Sequence, residues 1–125
     1  MSELLDRLKH ERGYVLPVHE AMDRVSPKLL LRYLDLSGYL LFDHEARALD
    51  LKTRYLVLVG ITTAVRGDAE GIEWSGRRAL ENGASVHEVE EAMALAMLPA
   101  GVPAYEEAAR AWRHVRDEGG LLKDL

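Results

Sequence analysis

The 125-residue chain is 48% apolar and 30% charged with a formal net charge of −5, a composition that supports one domain with a modest core. Charges of both signs are interspersed along it, which argues against a nucleic-acid or anionic-membrane surface. It has no cysteine, so thiolate attack and thiol–disulfide exchange are excluded.

Charged residues stand between Glu3 and Arg7, where a leader would have its apolar region, and no run approaches the roughly 18 apolar residues that span a bilayer. A cytoplasmic protein with no membrane contact is expected. Ser2 caps a first short helix through Arg12, which Gly13 ends. A second segment runs from Pro17 to Val25. Ser26 and Pro27 stop it and start a third helix, as N-cap and first helical residue, with Leu29, Leu30, Tyr33, Leu34, Ser37, Leu40 and Leu41 at helical spacing up to Phe42. Gly38 weakens its middle or admits a close neighbour.

Asp50 is the N-cap of the next helix, to about Val65, whose centre from Tyr55 to Ile61 is apolar on all sides. Such a helix must be covered all round, and in so small a chain part of the cover is expected from another subunit. A further helix spans Ala69 to Asn82. At about 100° per residue, Ile72, Gly76, Ala79 and Leu80 form its core stripe, and Glu70, Glu73, Arg77 and Glu81 lie opposite. Asp68, Gly71, Ser75 and Asn82 share a third sector at the edge of the core. Gly83 caps this helix, and Ser85 with Glu88 forms a capping box for the next, which bears Val89, Ala92, Met93, Ala96 and Met97 and is ended by Pro99 and Gly101. Pro103 opens a last helix through about Glu118, with Tyr105, Ala108, Ala109, Trp112 and Val115 before a frayed tail from Gly119.

The order of Leu51-Lys52-Thr53-Arg54, Arg66-Gly67, Ala79-Leu80, Gly83-Ala84-Ser85, Glu88-Val89 and Gly101-Val102-Pro103-Ala104 resembles the carboxymuconolactone decarboxylase family, which includes the alkylhydroperoxidase D-like proteins. The resemblance implies an all-α, single-domain bundle of about six helices, with N-terminal helices over about 2–44 and the family core over about 50–118. It also implies a homo-oligomer, trimer or hexamer, whose helical hairpins interlock around a small pocket near Asp68, Gly71 and Ser75. In the peroxidase branch a pair of cysteines would fall on Asp68 and Gly71 and a histidine on Ser75; the proton-relay glutamate would fall on Leu56 or Tyr55. The decarboxylase branch keeps the histidine alone, as a proton carrier near neutral pH. This chain has serine there, so neither branch's chemistry transfers.

Glu70 and Glu73 remain the carboxylates for cofactor-independent acid–base chemistry on a small carboxylated or lactone-like metabolite, with Arg77 as carboxylate clamp and Asp68, Gly71, Ser75 and Trp74 around the ligand. Arg77 follows Glu73 by four residues, which a solvated ion pair also explains. Trp74, read as exposed, fits an interface anchor better than a ligand platform. His10, His19, His44, His87 and His114 are read as surface residues, although His87 and Glu91 share a helical face; no metal or cofactor is expected. The alternative to an enzyme is a non-catalytic oligomeric module that binds a ligand or a protein.

Overall fold

The computed structural model describes residues 2–42 and 48–117, all but the side chains of His114 and Val115. The readings placed on His44, on those two side chains and on the tail from Gly119 lie outside the described residues. Among these residues eight helices follow in order: α1 Glu3–Arg12, α2 Pro17–Val25, α3 Pro27–Leu41, α4 Leu51–Ala64, α5 Ala69–Glu81, α6 Val86–Leu95, α7 Met97–Ala100 and α8 Val102–Asp117. Among the described residues none is long and apolar enough to cross a membrane. The chain divides into two compact units, Met1–Asp43 and His44–Leu125.

Local chemistry sets most boundaries. Ser2, Ser26 and Asp50 each accept a backbone N–H of the first helical turn, from Leu5, Lys28 and Thr53. Ser85 accepts from Glu88 N at 3.0 Å while the Glu88 carboxylate accepts from Ser85 N at 2.9 Å, the reciprocal box expected there. Gly13 and Gly83 close α1 and α5 with positive φ, 82° and 99°. The helix expected to continue to Pro99 instead stops at Leu95. Proline has no N–H, so Pro99 cannot bond the Leu95 carbonyl; Ala96 N tightens to Met93 O at 3.2 Å, and the one-turn α7 carries the chain to Gly101. This break makes eight helices among the described residues out of the seven segments read along the sequence, against the about six that the resemblance implies.

In the N-terminal unit, Arg12 lies over the Phe42 ring at 4.4 Å, and a Cβ on Gly38 would meet its Nη2 at 3.5 Å. The neighbour at Gly38 is thus a side chain. His19, read as a surface histidine, is buried at 2% exposure. Its ring stacks on Tyr14 at 6.4 Å and tilts against Tyr33 at 5.8 Å, and its Nδ1 accepts the Leu16 N–H at 3.0 Å. Leu16, the N-cap of α2, has no side-chain acceptor, so His19 satisfies that helix end by reaching back from the first turn.

Burial first, and the Arg12 charge second, hold the His19 pKa below its ordinary 6.5. The unfolded chain therefore binds a proton that the folded unit resists, and stability present above pH 6.5 is lost as pH falls through the lower folded value. Amide exchange at Leu16 is expected to accelerate, beyond the intrinsic pH dependence, between pH 7.5 and 5. A His19→Gln chain should show no such step; an equal step in both would remove His19 as its cause.

In the C-terminal unit each long helix contributes one buried stripe at three- or four-residue spacing. These are Tyr55, Val59 and Thr63 on α4; Ile72, Gly76 and Ala79 on α5; Val89 and Met93 on α6; Ala104, Ala108 and Trp112 on α8. The closest pairing is α4 with α5, an antiparallel hairpin across the Arg66-Gly67 turn.

Candidate functional site

The sector of α5 singled out by the sequence begins at that turn. Arg66 adopts a left-handed φ of 56°, and a Cβ on Gly67 would lie 2.6 Å from Thr62 Cγ2, so the chain reverses here only with glycine at the second position. The Arg66 guanidinium forks onto Glu107 of α8, Nε to Oε2 at 3.0 Å, and holds the Glu107 carboxyl below its usual pKa.

Asp68 is the N-cap of α5, a role the sequence reading missed although Asp immediately before Ala69 signals it. Its Oδ1 accepts the Gly71 N–H at 2.7 Å. A Cβ on Gly71 would stand 3.0 Å from that oxygen and 3.4 Å from Thr62 Cγ2, so glycine gives the cap its room. Ser75 is fully buried, not at the edge of the core, and its hydroxyl donates to Gly71 O at 2.9 Å. A Ser hydroxyl turned back on its own helix this way is a satisfied donor, and among the described residues no base is hydrogen-bonded to it. Asn82, the fourth member, donates from Nδ2 to Arg78 O.

Glu70 is exposed, and Glu73 is paired with Arg77 at 3.7 Å, with side chains 44% and 33% exposed. Trp74 is half-buried rather than exposed, its ring edge-on to Tyr55 at 5.9 Å. The structure thus brings Glu73 to Arg77, and Asp68 and Ser75 to Gly71. Sequence reading also did not anticipate the buried Tyr55 phenol, which accepts from Arg78 Nε at 3.2 Å and Nη2 at 3.1 Å; the partners sit on different helices, and no spacing rule connects them.

A groove of about 620 Å³ runs between α4 and α6. Its walls are apolar, with Leu56, Val57, Gly60 and Ile61 on one side and Ala92 and Leu95 on the other, and Glu88 and Glu91 at one end. Glu88 is tied to Lys52 Nζ at 2.8 Å, which lowers its pKa together with the Ser85 amide. Val57 and Ile61 on α4 and Val65 at its C-cap form an outward row, 45%, 51% and 70% exposed, and Leu95, Leu98 and Val102 are exposed as well. The helix that is apolar all round is covered on its inner face only.

The carboxymuconolactone decarboxylase family matches residues 27–114, and the chain belongs to that family. A solved structure from Burkholderia xenovorans LB400, provisionally designated a carboxymuconolactone decarboxylase, superposes with a TM-score of 0.78 at 21% identity, covering 98% of this chain and 94% of that one. That likeness establishes the shared all-helical fold. No curated protein matches the chain.

Proposed function

We propose that the chain is a homo-oligomeric binding module of its family, without thiol chemistry and without proton transfer through α5. The observation that carries this reading is the use of Asp68, Gly71 and Ser75 in their own helix: cap acceptor, cap donor and a buried back-bonded hydroxyl. A capping carboxylate and a hydroxyl already turned onto the helix backbone make poor proton carriers for a reacting atom. The bare row on α4 supports self-association, since contiguous exposed apolar surface marks an interaction site and a symmetric partner presents the same row. A second copy, in a trimer or hexamer, is the occupant proposed for the α4–α6 groove.

The rival reading is cofactor-independent acid–base chemistry on a small carboxylated or lactone-like metabolite, with Glu70 or Glu73 carrying the proton and Arg77 clamping a carboxylate. It draws on the provisional designation of the Burkholderia protein and on the nearness of these residues to the sector in sequence. A panel of small carboxylated lactones should show no turnover above buffer. Turnover that disappears in Glu73→Gln or Glu70→Gln would replace the module with the enzyme.

A further inference from the structure

The face between α6 and α8 carries a second cavity, of about 260 Å³, that none of the family's sequence features marks. Met93 and Trp112, 1% and 2% exposed, form its floor with Ala109, and Tyr105 stands half-buried beside them. Glu90 from α6 accepts on one oxygen, Oε2, both the Trp112 indole N–H at 3.2 Å and Arg116 Nη1 at 2.6 Å. Those two donors neutralise the carboxylate and pin one guanidinium at the rim. Arg113, one turn earlier on α8, lines the same cavity, is exposed, and has no ion-pair partner among the described residues.

We propose that this cleft is a binding site for a small aromatic carboxylate. Volume, floor and charge each set a limit. A cavity of this size lies just below the usual range of about 300–1,000 Å³ for ligand pockets and limits an occupant to one ring with a short substituent. Its accessible aromatic wall is the half-buried Tyr105, above the enclosed Met93 and Trp112, and such a wall favours a flat, polarisable body. The rim has one pinned guanidinium and one without an ion-pair partner among the described residues, whose forked N–H donors match a carboxylate, while Glu90 already accepts from Arg116 and Trp112. A cationic ligand would meet both arginines, and a neutral one would leave Arg113 unanswered. This rests on the binding-module reading and adds the site and ligand class.

Benzoate is the probe, read at the Trp112 indole N–H resonance in proton–nitrogen correlation spectra and assigned by its loss in Trp112→Phe. Benzoate is expected to move that resonance saturably. Arg113→Gln, at an exposed position that leaves the fold alone, should weaken binding about tenfold, the size of one charge-assisted hydrogen bond. Benzamide, the same ring without the charge, and acetate, the charge without the ring, should each bind at least about tenfold more weakly than benzoate. Absence of a saturable shift, or equal affinity in Arg113→Gln, overturns the proposal. Glu73→Gln should bind benzoate as the parent does; if it alone abolishes binding, the ligand sits on α5 and the cleft assignment falls. The module reading is judged separately, by turnover and by the mass of the assembly.

Discussion

Trp112→Ala is expected to cost about 3–5 kcal/mol of unfolding free energy, the usual penalty for removing a large buried aromatic whose cavity cannot collapse. Trp112 is 2% exposed, and its ring fills the space that α5 leaves by having glycine at position 76. A Cβ built on Gly76 overlaps Trp112 Cζ3 and comes within 3.0 Å of Cε3 and Cη2. The indole is rigid and enclosed, so it cannot turn aside for a methyl group. Gly76→Ala should therefore cost about 1–3 kcal/mol by overpacking, although alanine is the better helix former by about 1 kcal/mol.

The pair gives a sharper test than either change alone. Once Trp112 is alanine the overlap is gone, and only the helix preference remains. Gly76→Ala should then stabilise the Trp112→Ala chain by about 0.5–1 kcal/mol, a reversal of sign at one position. Urea unfolding of the four chains, followed by far-ultraviolet circular dichroism, measures it. If Gly76→Ala destabilises both backgrounds equally, the two residues do not share a space and the packing account of α5 on α8 is wrong.

That contact shows where reading the sequence stops. Most helix ends governed by a side chain bonding two or three residues away were legible: Ser2, Ser26, Asp50, and Ser85 with Glu88 cap as expected, because donor and acceptor lie within one turn of each other in sequence, and Asp68 was the cap passed over. Gly76 was placed on the core stripe of α5, but that its missing side chain receives an indole from α8 depends on how two helices pack. His19 was misread for a different reason. A histidine in a first turn is usually solvated, and only the absence of an acceptor on Leu16, together with tyrosines at 14 and 33, turns it inward.

At the candidate site the same division holds. The angular sectors of α5 could be drawn from periodicity, and Asp68, Gly71 and Ser75 do share one. Whether their polar atoms face a ligand or their own backbone is decided by hydrogen bonds of a few tenths of an ångström's tolerance, which a helical wheel does not contain.

Ile61→Glu is expected to reduce the assembly to single chains while leaving each chain folded. Ile61 is 51% exposed on the outward row of α4, so a carboxylate there stays in water within one chain and disturbs none of the buried stripe of Tyr55, Val59 and Thr63. In a symmetric assembly the position is different, because each copy would bring its glutamate into the partner's apolar groove. Losing one isoleucine from each side forfeits on the order of 3–6 kcal/mol, about 10²- to 10⁴-fold in the dissociation constant, before the cost of desolvating two like charges is added. Sedimentation equilibrium at micromolar concentration should give a multiple of the chain mass for the parent and one chain mass for the variant, with unchanged helical circular dichroism. Glu70→Gln, on the exposed side of α5, is the matched control and should leave the mass unaltered. A parent that sediments as a single chain would show that the α4 row is not covered by a second copy, and the self-association reading would be withdrawn. An Ile61→Glu chain that retains the parent's mass would move the interface to another face of the C-terminal unit.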